Sequence, residues 1–160
     1  MPVLFSVLGK KGAGKSEVLE CLIRSLTQKG FRVGVIKRLA RPDLEIDEPG
    51  KDTYRYRMQG ASTVILSGRR RLAVFKNLQE ETPLEELLLH YEGFHFVFLE
   101  GYELEGAQKI EIQDGEEINI EHLTRDLLRH CERNEAISSR ISGACPEADR
   151  LLRPPTVGSQ

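Results

Sequence analysis

No stretch of this 160-residue chain comes near the roughly 20 apolar residues that a membrane-spanning helix needs; Phe94-His-Phe-Val-Phe-Leu99 is among its most apolar runs. An integral helical membrane protein is therefore excluded. Cysteine is scarce as well. Cys21, Cys131 and Cys145 are odd in number and form no CxxC pair, so neither a disulfide framework nor a cysteine-rich zinc site is indicated, and reduced thiols are expected. His90, His95, His122 and His130 show no metal-ligand spacing, and neither an internal repeat nor a low-complexity tract occurs. Nor is a secretory leader expected, since Met1–Leu8 leads straight into a Gly/Lys loop, and a cytoplasmic protein is expected. Net charge is nearly absent at -2, yet the first 80 residues carry +8 and the last 80 carry -10. A basic first half without aromatic interleaving suits an anionic ligand such as a nucleotide better than a nucleic-acid groove.

What the chain does have is an ordinary globular balance, 39% hydrophobic and 30% charged, enough for one core. Short β-branched runs alternate with longer helical ones, the signal of an α/β fold. Strands are expected over 3–8, 31–37 and 94–99, the last so continuously apolar that it should be central and covered on both faces. A helix is expected over 15–29, with Val18, Leu19, Leu22, Ile23 and Leu26 on one stripe, Cys21 packed beside it and Gly30 as its stop. Pro42, Pro49 and Gly50 mark a long polar loop, after which Asp52 can cap a short helix through Gln59. Residues 61–67 and 71–76 read as an antiparallel pair turned at Gly68. Thr82-Pro83-Leu84-Glu85 has capping-box form and predicts a helix over 83–91. A strand over 108–113, a turn at Asp114-Gly115 and a helix bearing Leu123, Leu127 and Leu128 follow. The expected fold is thus a mostly parallel sheet flanked by helices, P-loop NTPase-like, with a nucleotide-binding domain over 1–130 and a peripheral tail over 131–160.

Gly9-Lys10-Lys11-Gly12-Ala13-Gly14-Lys15-Ser16 satisfies G-x-x-x-x-G-K-[ST] between an expected strand and an expected helix. Glycines let successive backbone N–H groups turn toward phosphate, and the helix start aims its positive dipole end at the same anion. Lys15 would reach the β- and γ-phosphates, and Ser16 would place its hydroxyl on a magnesium ion. Gly12, Ala13, Gly14 and Glu17 complete this stretch. Phe94–Glu100 has the form of an apolar strand ending in a carboxylate. If that strand lies parallel beside the first, Glu100 emerges at the edge where such sheets bind ligands. Lys37, closing the second strand, would face the same edge. Asp43, Glu45 and Asp47 alternate, so an extended segment would put all three carboxylates on one side as a possible cation row or a solvated face. Asp52 is open between a capping role and a magnesium or water ligand.

Taken in order, the P-loop, Lys37, the Asp43/Glu45/Asp47 row, Gly50-Lys51-Asp52-Thr53-Tyr54, Arg57, Gly60-Ala61 and Leu99-Glu100-Gly101-Tyr102 make residues 1–113 resemble the MobB family of molybdopterin-guanine dinucleotide biosynthesis proteins. The resemblance implies a magnesium-dependent GTP-binding protein with weak GTPase activity, a homodimer that assists the guanylyltransferase MobA. By position it also implies that Gly12, Gly14, Lys15 and Ser16 contact phosphate and magnesium, that Asp43, Glu45, Asp47, Lys51, Asp52 and Glu100 line the site, and that Lys109 fills a basic family position. Arg38 and Arg41 stand where histidines are common, and Glu103 where a lysine often follows. No N-K-x-D motif is present, so the guanine base comes from the resemblance alone. Read from residues only, two other functions stay open: a small-molecule kinase using Asp52 or Glu100 to orient an acceptor hydroxyl, and a non-catalytic nucleotide-gated adaptor.

Overall fold

A computed structural model describes residues 2–39, 41, 45–115 and 117–132. Asp43 and the expected tail beyond 132 lie outside the described residues.

Four strands, β1 (Val3–Leu8), β2 (Val33–Lys37), β5 (Phe96–Glu100) and β6 (Gln108–Glu111), form a fully parallel sheet in the order β2-β5-β1-β6. β5 is central: Phe96, Val97, Phe98 and Leu99 are all 0% exposed, as a strand covered on both faces requires. On one face, Phe5, Val7, Phe96 and Phe98 pack against Leu19, Leu22 and Leu26 of α1 (Lys15–Gln28), with Leu127 of α4 (Ile120–Glu132) joining them. On the other, Ile36, Val97 and Leu99 meet Leu84, Leu87, Leu88 and Tyr91, from α3 (Leu84–Leu88) and the 3-10 turn Leu89–Tyr91. Gly34 is required there: any Cβ would run into the Tyr91 ring, whose hydroxyl donates to the Val35 carbonyl at 2.7 Å. Burial raises the Tyr91 pKa.

β3 (Thr63–Ser67) and β4 (Leu72–Lys76) form a separate antiparallel hairpin, with α2 (Asp52–Met58) packed on β3. Its antiparallel pairing is as the sequence suggests. Ile65, Leu72 and Val74 lie on one hairpin face by register and are exposed.

Three local expectations are corrected. Pro83, not Thr82, is the N-cap of α3, extended at φ -56° and ψ 143°, with no side-chain cap hydrogen bond; the helix is one residue shorter at its start and tightens into the 3-10 turn at Leu89. Lys51 is the N-cap of α2 and Asp52 its first helical residue, so the Asp52 carboxylate turns to Arg55 at 3.2 Å instead of capping. Cys21 is exposed, because the buried stripe runs through Leu19, Leu22 and Leu26 and leaves position 21 outside it.

Candidate functional site

β1 delivers the chain into the glycine-rich loop at the C-terminal edge of the parallel sheet, and α1 leaves from the other end of that loop. Gly9, Gly12 and Gly14 have φ of 146°, 89° and 81°, conformations that residues with a Cβ rarely adopt. At Gly9 a Cβ would also collide with the Ile112 carbonyl. Ala13 is buried and anchors the loop, its N–H donating to the Lys10 carbonyl at 3.3 Å. Gly14 is the helix N-cap and offers no capping side chain, so the first-turn N–H groups keep their outward-pointing donor capacity. Across the loop, Lys15 donates from Nζ to the carbonyls of Gly9 at 2.7 Å and Lys10 at 2.5 Å. Ser16 and Glu17 are exposed in the first turn. A cleft of about 400 Å³ flanks the loop, lined by Gly9, Lys10, Glu111 and Asp114 among others.

Glu100 ends β5 directly beside this loop. Val7, Glu100 and Lys37 are register partners across β1, β5 and β2. Partners in register share a face, and Val7 and Phe98 belong to the face covered by α1, so Glu100 and Lys37 project to the side from which Lys15 and Ser16 start that helix. The Glu100 carboxylate forms an ion pair with Lys37 Nζ at 2.9 Å; its side chain is 12% exposed and that of Lys37 55%.

The acidic loop is organised differently. Arg57 of α2 donates to Glu45 at 2.7 Å, and its Nε faces Asp47 Oδ2 at 3.5 Å, an ion pair in which neither of those two buried atoms has a hydrogen-bond partner. Asp47 Oδ1 accepts from the Thr53 hydroxyl at 3.0 Å and the Glu48 N–H at 2.9 Å. The guanidinium also lies 5.9 Å from the Tyr54 ring centre and 5.7 Å from that of Phe75. The Asp47 backbone N–H holds the Glu45 carboxyl below its ordinary pKa, Arg57 adding to the effect. Lys51 and Asp52 pair with Glu48 and Arg55, and line a second cleft of about 390 Å³ with Asp47, Thr53, Leu66 and Phe75.

The residues singled out in the sequence thus fall into two groups. Lys15, Ser16, Glu17, Lys37 and Glu100 gather at the sheet edge, whereas Glu45, Asp47, Lys51 and Asp52 gather against the hairpin. Arg57 is the residue whose role sequence reasoning missed; the signal was an arginine on the helix following an unusually acidic loop. Lys109 and Glu103 pair with each other, which lowers the glutamate pKa and raises that of the lysine. Among the described residues no cluster of three or more His, Cys, Asp or Glu side chains could hold a metal by itself.

The family model for molybdopterin guanine dinucleotide synthesis protein B, MobB, matches residues 4–129. The chain belongs to the MobB family. The molybdopterin-guanine dinucleotide biosynthesis adapter protein of Escherichia coli K12 is 34% identical over 124 residues, covering 72% of this chain and 68% of that protein. The Haemophilus influenzae protein of the same name is 32% identical over 109 residues, covering 67% and 61%. Solved MobB structures share the fold: one from Bacillus subtilis superposes with a TM-score of 0.57 at 20% identity over 70% of this chain and 68% of its own. A crystal structure of molybdopterin-guanine biosynthesis protein B gives 0.56 at 18% identity over 80% and 99%. The fold is P-loop NTPase-like, and none of its described helices is long and apolar enough to cross a membrane.

Proposed function

We propose that this chain binds GTP with magnesium at residues 9–16 and serves, like the MobB relatives named as adapters, in molybdopterin guanine dinucleotide biosynthesis, with the guanylyltransferase MobA as its partner enzyme. The observation that carries the reading is the loop itself: three positive-φ glycines, an uncapped helix start and a lysine folded across the mouth. Lys15 would exchange its two carbonyl acceptors for phosphate oxygens. Ser16 and Glu100 are hard oxygen donors of the type magnesium takes, and two protein ligands beside substrate phosphates are its usual share. Magnesium, when bound, neutralises charge on the phosphates. The carboxylates of Glu111 and Asp114 in the flanking cleft are acceptors, the complement of the N–H donors on guanine's Watson–Crick edge.

Hydrolysis would be slow. Glu100, which ends the central strand beside the loop, is engaged by Lys37 and so is not free to activate water, leaving positioning and charge neutralisation to supply the rate. Asp52 sits with Arg55 on the hairpin side, which weighs against the kinase reading in which it orients an acceptor. A homodimer is supported by the hairpin, a two-stranded sheet exposing Ile65, Leu72 and Val74 on one face, more apolar surface than an isolated hairpin carries comfortably in water. We read residues 1–130 as the nucleotide-binding domain and the protein as cytoplasmic. The test is calorimetry of GTP binding to the wild type and to Lys15→Ala: affinity should fall by about 100-fold or more in the variant, and undiminished affinity would remove the assignment.

A further inference from the structure

Lys37 and Glu100 form an unequal pair. The glutamate side chain is confined between neighbouring strands at 12% exposure, while the side chain of its partner lysine is 55% exposed and reaches in from the edge strand. A confined carboxylate needs a cation close by, because desolvation is costly without one. A lysine on a four-carbon stem can leave into water with little penalty; it is a point charge that makes no fork with the two carboxylate oxygens. Backbone holds the rest in place: the Arg38 N–H donates to the Glu100 carbonyl at 2.9 Å, so the strand end stays fixed whichever cation the side chain holds.

We infer that Lys37 is a displaceable counter-ion, which keeps the Glu100 carboxylate in position at the sheet edge until a divalent cation takes it over, and thereby sets the metal concentration at which the site loads. The inference rests on the reading of this edge as a magnesium-nucleotide site and deepens it with a positioning residue. Lysine and metal compete for one carboxylate, so weakening the lysine must strengthen the metal. An arginine, which grips both oxygens, must do the reverse.

Manganese, a paramagnetic stand-in for magnesium, can be titrated into the protein with and without GTP while electron paramagnetic resonance counts the free ion. Lys37→Met should bind manganese about three- to fivefold more tightly than wild type and Lys37→Arg more weakly by a similar factor. Glu100→Gln should weaken binding by about tenfold or more. In the double variant Lys37→Met/Glu100→Gln the gain from losing the lysine should vanish; a general charge effect would leave it in place. Without metal, Lys37→Arg should melt with wild type because a cation still faces Glu100, whereas Lys37→Met should melt lower because the confined carboxylate has lost its partner. Manganese binding to Lys37→Met that is equal to or weaker than wild type, a gain that survives loss of Glu100, or no manganese binding to any form overturns the inference. If GTP leaves manganese binding of the wild type unchanged, the nucleotide reading falls instead, and the metal-only titration still decides the role of Lys37.

Discussion

At the edge of the parallel sheet one carboxylate is held by a lysine, whereas on the acidic loop two carboxylates are held by one arginine. Glu100 and Lys37 make a single contact that water reaches from the lysine side. Arg57 engages Glu45 and Asp47 together, is 11% exposed at its side chain and lies 5.9 and 5.7 Å from the Tyr54 and Phe75 ring centres. The first arrangement can exchange its cation, and the second is built as a permanent clasp that ties the loop to α2 and the hairpin. Lys15, resting on carbonyls of its own loop, belongs with the exchangeable kind. Chemistry is thereby separated from scaffolding by the choice of cation.

The largest effect that could break this contrast is on Arg57. Arg57→Ala strands Asp47, 6% exposed at its side chain, and should cost about 2–3 kcal/mol in urea unfolding; a loss no larger than that for Lys37 would erase the distinction. Arg57→Lys keeps the charge without the fork and should cost about 1–2 kcal/mol, with proteolysis at 45–51 faster than in wild type. Acid sharpens the comparison further. Glu45 has a lowered folded pKa, so its contribution is complete above the ordinary glutamate range and drains away as pH falls through the lowered value. Melting temperature should accordingly drop more steeply on acidification in wild type than in Glu45→Gln; parallel curves would mean that the clasp contributes nothing through Glu45. The smallest effect belongs to Lys37→Arg, under about 0.5 kcal/mol in the same unfolding assay, because a cation still faces the Glu100 carboxylate.

Much of the sheet edge was legible in the sequence because its signals are local. The glycine spacing, the strand before and the helix after are consecutive, and the apolar run ending at Glu100 announces a buried central strand. The pairing of β3 with β4 was legible for the same reason. Interactions between distant segments were not. Nothing near Asp47 in sequence says that Arg57, ten residues on, closes over it. A possible cation row of three carboxylates became a clasp because the arginine supplies the positive charge, and Asp43 lies outside the described residues. Thr82 has the sequence of a cap, yet Pro83 takes the N-cap position and leaves the hydroxyl without a capping hydrogen bond. Lys109 and Glu103 find each other across a turn that periodicity cannot read.

The central claim is that the loop at 9–16 accepts a guanine nucleotide, and a calorimetric titration of GTP against ATP in magnesium tests it most directly. The account predicts saturable GTP binding that is favoured over ATP by about tenfold or more, equivalent to about 1.4 kcal/mol. Tighter binding of ATP, or no heat from either nucleotide, would contradict it.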